Sequence, residues 1–338
     1  MAVDLDPYLD AVPAATAARL GSARRVLAVG HEHPDADTLG ASLAVSAIVE
    51  ARGGIATPVC TDPVPPLYDF MPGIERVRTD PDPTQDYDLL VVSDCGSLSR
   101  VGAVADRHRE LFARLPVLVL DHHLSNERAG PDDWIDPDAA ATCEMVTLLA
   151  LRMGLRLDAI PGLATALMAG IVMDTATFAH PNATPRTLSV AAVLLEAGAP
   201  LADISRRLYR TKPDEQLQLF GRVLARLERT ADGLVVHSSL LDADLIATGT
   251  GPAQSEGIID LLSQSETAAV VLLFKEQGGE TRISVRTKPG GVDATELTGL
   301  FGGGGHARAA GATVDRPLEL ARPLVLAEAE RLARQVGR

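Results

Sequence analysis

Aromatic side chains make up only 3% of this 338-residue chain, and its 31 Lys and Arg are outnumbered by 45 Asp and Glu, a formal charge of −14. A protein that tracks long DNA or RNA draws its affinity from many cations that displace counterions, and a single-strand platform stacks bases on aromatic rings. Neither resource is present. A phosphate-bearing partner is therefore expected to be small, with its charge met locally by metals and a few cationic side chains. Apolar runs of about 18 residues are also missing, so no membrane span is expected. The start, Met1-Ala-Val-Asp-Leu-Asp6, is acidic where a signal peptide is basic, and the expected location is the cytoplasm. Cys60, Cys95 and Cys143 have neither the spacing nor the number of a disulfide framework and read as buried thiols.

What the chain does carry is four short polar stretches: His31-Glu-His-Pro-Asp35-Ala-Asp37, Ser93-Asp94, Asp121-His122-His123 and Met173-Asp174-Thr175. The first three follow apolar runs at 26–29, 89–92 and 117–120 that read as buried parallel strands, so their polar ends should converge at one sheet edge. Leu39, Leu43, Ala47 and Ile48 recur at helical spacing, which puts Asp35 and Asp37 in the turn between strand and helix. Asp174 closes an apolar stretch, 163–173, that reads as a helix. Taken alone, Asp35 and Asp37 would be ordinary helix caps. The remaining stretches change that reading, because two successive histidines at a strand end beside converging carboxylates describe a two-metal site. Two divalent cations about 3.5 to 4 Å apart need bridging carboxylates, imidazoles and open positions for water and a phosphate oxygen. Mixed oxygen and nitrogen ligands suit Mn²⁺.

Length favours two domains, and 46% hydrophobic content supplies both cores. Strand and helix alternate in the first half, the signature of a doubly wound parallel sheet. Some forty helical residues beyond Thr187 are broken by Gly198-Ala-Pro200 and Lys212-Pro213 into a jointed connector. Strands are then expected at 234–240, 268–274 and 281–286, a helix at 257–263, and a glycine loop in Phe301-Gly-Gly-Gly-Gly-His306-Ala-Arg-Ala-Ala-Gly311. His33 reads as a structural neighbour of the site, and His108 and His237 as solvent-exposed.

His31-x-x-x-Asp35-x-Asp37, Asp94, Asp121-His122-His123 and Asp174 resemble the four motifs of the DHH phosphoesterase superfamily. Residues 302–311 resemble the GGGH-x-x-AAG signature of its C-terminal DHHA1 domain, and the matches span nearly the whole chain. The subfamily it is most similar to is the bacterial nanoRNases that also dephosphorylate pAp. The resemblance implies an α/β fold: a doubly wound parallel-sheet DHH domain (1–198), a helical connector (199–232) and a smaller α/β DHHA1 substrate-binding domain (233–338). It implies His31 and Asp35 on one metal, Asp37 and His122 on the other, Asp94 bridging, Asp174 completing the shell and His123 facing the scissile phosphate. Arg286, Gly303, Gly304, Gly305 and His306 would grip the far end of a short nucleotide, the glycines letting a phosphate approach backbone amides.

The implied activity is hydrolysis of short RNA to mononucleotides and of pAp to AMP, by a hydroxide activated between two Mn²⁺, with Mg²⁺ or Co²⁺ as alternatives. The implied partners are short single-stranded RNA, small nucleotides and a second copy of the chain, with neither long duplexes nor membranes. Competing readings are hydrolysis of linear or cyclic dinucleotide messengers, a single-strand-specific exonuclease, and a non-catalytic nucleotide-binding regulator. Loss of a ligand would mark the regulator, and none is missing. The fourth motif departs from the family's usual Thr-Asp-Thr-Gly, reading Met173-Asp174-Thr175-Ala176-Thr177-Phe178-Ala179-His180. A phosphate contact from the side chain at 179 is lost, leaving His180 or Asn182 to replace it.

Overall fold

Val26-Leu-Ala-Val29 and Leu89-Leu-Val-Val92 carry no polar side chain on either face, which suits strands covered by helices on both sides. A computed structural model, describing residues 4–126 and 130–336, has them so placed. The chain divides into two units, Met1–Thr211 and Lys212–Arg338. The first runs α1 (Asp6–Leu9), α2 (Ala14–Ser22), β1 (Arg25–Val29), α3 (Ala36–Ala51), β2 (Ile55–Val59), β3 (Leu89–Ser93), α4 (Ala103–Arg107), α5 (Arg109–Arg114), β4 (Val117–Asp121), β5 (Trp134–Ile135), α6 (Thr142–Arg152), α7 (Leu163–Asp174), α8 (Pro185–Glu196) and α9 (Leu201–Tyr209).

Its sheet has strand order β2-β1-β3-β4-β5 with every pairing parallel. Alternate residues feed two cores. Val26, Ala28, Leu89, Val91, Leu118 and Leu120 join α3, α6 and α7, while Leu27, Val29, Leu90, Val92 and Val119 join Val104 and Leu115 on the other face. The order reverses between β1 and β3, and in such sheets the crevice outside the carboxyl ends at that reversal is where ligands bind. Helices α3 and α7 cross closely there. A Cβ on Gly40 would stand 2.5 Å from the Ala166 carbonyl, and one on Gly170 only 2.4 Å from Asp37 Oδ1.

The second unit comprises α10 (Asp214–Leu224), β6 (Glu228–Arg229), β7 (Val235–Leu240), α11 (Asp242–Thr248), α12 (Ile258–Leu262), β8 (Val270–Gln277), β9 (Glu280–Thr287), α13 (Ala294–Gly299), β10 (Gly304–His306), β11 (Ala309–Val314) and α14 (Leu318–Val336). Its mixed sheet has the order β10-β11-β9-β8-β7-β6, with β7 and β8 parallel and the other neighbours antiparallel. One face packs Val235, Val270, Leu272, Phe274, Ile283 and Val285 under α13 and α14. The other is covered over β7 and β8 by Leu219, Val223, Ile258 and Leu262 from α10 and α12.

Three expectations change. The stretch 199–232 does not stand apart as a connector, because α9 belongs to the first unit and α10 to the second, with the division beside Lys212-Pro213. The glycine run is a loop only in its first half: Gly302 and Gly303 form the turn, while Gly304, Gly305 and His306 form the edge strand β10, paired with Gly311, Ala310 and Ala309. His237 is not exposed but only 5% accessible on β7, its ring edge-on to Phe274. An alternating strand buried on both faces hides even a polar residue, which local composition does not reveal.

Candidate metal centre

The polar stretches at 31–37, 94, 121–123 and 174 meet at the carboxyl end of the first sheet. His31 and Asp35 follow β1, Asp94 follows β3, His122 and His123 follow β4, and Asp174 ends α7. Local chemistry sets each one. Asp35 caps α3, its Oδ1 accepting from the amides of Asp37 (2.9 Å) and Thr38 (3.0 Å). Asp37, fully buried, accepts from the first amides of α6, Thr142 N (2.7 Å) and Cys143 N (2.8 Å). A helix N-terminus is a favourable seat for a carboxylate. Asp94 takes a left-handed backbone conformation at φ 58° and accepts hydroxyl donations from Thr38 (2.7 Å) and Thr142 (3.3 Å).

The imidazoles are fixed by backbone carbonyls. His31 Nδ1 donates to Glu32 O at 2.6 Å and His122 Nδ1 to Ala139 O at 3.3 Å, so each presents Nε2 to the carboxylates. His31 Nε2 lies 3.5 Å from Asp94 Oδ2 and 4.0 Å from Asp35 Oδ2. His122 Nε2 lies 3.5 Å from Asp94 Oδ1 and 3.2 Å from Asp174 Oδ2. Two groups of donors able to hold a cation result, His31–Asp35–Asp94 and Asp37–His122–Asp174, with Asp94 beside both. Ligand atoms bound at about 2.1 Å stand roughly 3.0 to 3.5 Å apart around a metal, so these spacings fit a cation with little adjustment. A third grouping, Asp94–His122–His123, uses a His123 Nδ1 that already donates to Asp121 Oδ1 at 2.8 Å.

The charge balance agrees with the donor set. Four carboxylates face two imidazoles in a largely buried site. Burial, together with Asp94, pushes Asp37 up to about 7. Burial, then Asp37 and Asp94, raises Asp174 well above the carboxylate range. Burial and Asp94 likewise raise Asp35. For Asp94 itself burial opposes ionisation, but hydrogen bonds from His122 and His31 outweigh it and hold the carboxyl far below its usual range. Burial disfavours a charged His122, yet Asp94, Asp37 and Asp174 raise it to about 10.

Asp121, expected as part of the metal-binding stretch, is fully buried and lies outside these donor groups. It orients His123 and accepts from Asn126 Nδ2 at 2.7 Å. Thr38, Thr142 and the carbonyls of Glu32 and Ala139 were not singled out by sequence reasoning; a hydroxyl or carbonyl supporting a ligand leaves no spacing signal. At the fourth motif, Ala176, Thr177 and Phe178 are consecutively left-handed, closed by Ala179 N to Thr175 O at 2.8 Å. Asn182 is committed to the carbonyls of Ala140 and Asp174. His180 is exposed, with Nδ1 donating to the Asp174 carbonyl at 3.1 Å. His33 bonds through its backbone amide to Asp62 and its ring is exposed. His108 is half-buried against Asp80 at 2.8 Å rather than free on the surface.

In the second unit His306, Ala309 and Arg286 are register partners across β10, β11 and β9, so their side chains share one face. Arg286 Nε donates to Asp260 Oδ1 at 2.9 Å. Gly303 and Gly305 serve close strand approach: a Cβ would lie 2.2 Å from the Gly311 carbonyl and 2.6 Å from the Ala309 carbonyl, whereas Gly304 faces open space.

Comparison with known proteins agrees with this layout. Residues 25–171 match the DHH family, N-terminal domain, and 235–335 match the DHHA1 domain. A Thermus thermophilus protein named bifunctional oligoribonuclease and PAP phosphatase NrnA is 33% identical over 284 residues, 84% of this chain and 82% of the relative. The chain belongs to the DHH family. A Bacillus subtilis DHH relative with the same name is 25% identical over 288 residues, covering 84% of this chain and 87% of its own. The fold is shared with an exopolyphosphatase-related protein from Bacteroides fragilis, at TM-score 0.84 and 23% identity over 96% of this chain and 98% of that one. Within this DHH chain the family match covers all the strands and turns that deliver the six candidate ligands except Asp174, which lies three residues beyond it.

Proposed function

We propose that this protein hydrolyses short RNA oligonucleotides to mononucleotides and pAp to AMP, using two Mn²⁺ held at the carboxyl end of the first sheet. The observation that carries the reading is Asp94, whose two oxygens stand 3.5 Å from imidazoles of separate donor groups, the arrangement a bridging ligand requires. His31 and Asp35 would hold one ion, and Asp37, His122 and Asp174 the other. Bound there, the cations would supply an activated water and neutralise charge on the phosphoryl group. His123, oriented by Asp121, keeps Nε2 available to a phosphate oxygen. Arg286 and His306 on their common face of the second unit, with the open backbone of Gly304 beside them, would contribute to recognition of a short substrate. The names of the Thermus and Bacillus relatives support the substrate class.

The reading extends to a cytoplasmic homodimer, for which sedimentation of the purified chain is the check. No single helix among the described residues is long and apolar enough to cross a membrane. Initial rates with Mn²⁺ on pAp, pApA, cyclic di-AMP and RNAs of increasing length test the activity. Fast release of mononucleotides from the shortest RNAs, with AMP from pAp, is expected. Turnover confined to dinucleotides would move the protein to messenger degradation.

A further inference from the structure

Behind the candidate centre lies an ion cluster that takes no direct part in it. Arg186 sits in the first turn of α8, after the capping Thr184 and Pro185. A cation at a helix N-terminus opposes the helix dipole, so it needs anionic partners to remain there. It has two: Nε donates to Glu144 Oε1 at 2.5 Å and Nη1 to Asp136 Oδ2 at 2.9 Å. Glu144 is fully buried, and Arg186 Nη2 is buried without a partner among the described residues. Stability is a poor reason for such an arrangement, since buried ion groups are commonly replaceable by apolar residues without loss.

Its connections suggest another reason. Glu144 Oε2 accepts from Ala140 N at 3.3 Å, and Asp136 N donates to Asp121 O at 3.0 Å, so the guanidinium braces both ends of the segment 136–144. That segment supplies the Ala139 carbonyl that fixes the His122 tautomer and the Thr142 and Cys143 amides that seat Asp37. Arg186 is joined through one short segment to Asp37 and His122, and the Thr142 hydroxyl of the same segment reaches the shared Asp94, whereas among the described residues no side chain or backbone group of 136–144 bonds directly to His31 or Asp35.

We propose that Arg186 is a positioning residue that, through Glu144 and Asp136, preorganises Asp37 and His122 selectively over His31 and Asp35. The inference rests on the reading of these groups as metal sites. It is tested on the full chain by calorimetric titration with Mn²⁺, electron paramagnetic resonance of the bound ions, and thermal unfolding without metal. The wild type is expected to bind two ions. Arg186→Met should weaken one of them about 10- to 100-fold, the usual cost of losing a supporting partner, and weaken the other, which shares only Asp94 with the braced segment, far less.

Because the single variant leaves Glu144 buried and unpaired, the double variant Arg186→Met/Glu144→Met is measured beside it. The double variant should regain most of the lost thermal stability while one ion still binds weakly. Recovery of metal affinity together with stability, or equal weakening of both ions, would overturn the inference and leave the two-metal reading standing. A wild type that binds fewer than two ions would overturn the two-metal reading and the inference with it.

Discussion

Asp94 answers three local demands at once: it ends a buried strand, adopts a left-handed backbone, and offers one oxygen to each imidazole. Asp94→Ala is expected to lower turnover about 1,000-fold or more, since it removes charge stabilisation from the centre of the site. Titration should then show fewer than two bound Mn²⁺, and near-normal turnover with both ions retained would refute the bridge. Asp121→Asn keeps the shape of the support for His123 but removes its charge, and is expected to cost about 10- to 100-fold in kcat with metal content intact. The pH dependence has a definite sign. Asp37, raised to about 7 chiefly by burial, holds its proton more tightly in the folded protein than in the unfolded chain. Its contribution to stability is full below the ordinary carboxyl range and is lost as pH rises through about 7. Ligation needs the ionised form. The rise in Tm given by saturating Mn²⁺ should therefore grow from pH about 6 to about 8, with proton release on binding; a rise that shrinks over that range would count against Asp37 as a ligand.

Among the elements, the crossing of α3 and α7 is the most exacting. Gly170→Ala would press a methyl group within 2.4 Å of Asp37 Oδ1 and of Cys143 Sγ. Overpacking of this kind costs about 1 to 3 kcal/mol. Denaturant unfolding should show the loss, and Mn²⁺ titration should show weaker binding because the obstacle lies against a ligand. The turn after α7 makes the opposite case. Ala176 is held at φ 46°, where an L side chain is strained by about 1 to 2 kcal/mol and glycine is not. Ala176→Gly is expected to stabilise the metal-free protein by up to about 1 kcal/mol after glycine's entropy is counted, a small increase in Tm. No increase would mean that the three left-handed residues are not an energetic burden.

For the whole molecule, net charge and the two-unit construction argue together. A chain of charge −14 gains little from a long polyanion, since each added phosphate meets no matching row of cations. Rates should fall as RNA lengthens from two to about twenty nucleotides, and a rise with length would point to a processive exonuclease. Arg286→Ala and His306→Ala, in the second unit, should raise KM for short RNA while leaving Mn²⁺ binding unchanged. Unchanged kinetics would remove that unit from recognition.

Which residues gather at the centre was legible from the chain itself, because apolar runs that read as buried parallel strands bring their polar ends to one edge of a sheet. The helix ending at Asp174 was legible for a similar reason of periodicity. The supports of the centre were not. Thr38, Thr142, the Ala139 carbonyl and the Arg186–Glu144–Asp136 cluster act through backbone amides, carbonyls and hydroxyls that any sequence supplies in abundance, and only packing selects among them. The glycine run shows the same limit: glycine permits a loop and a close strand equally, and it was the approach of β11, whose Ala309 carbonyl lies 2.6 Å from where a Gly305 side chain would begin, that made its second half a strand edge. Residue type and pattern determined the chemistry available to this protein; which groups are desolvated, paired and aimed was decided by tertiary structure, because those properties depend on neighbours far apart in the chain.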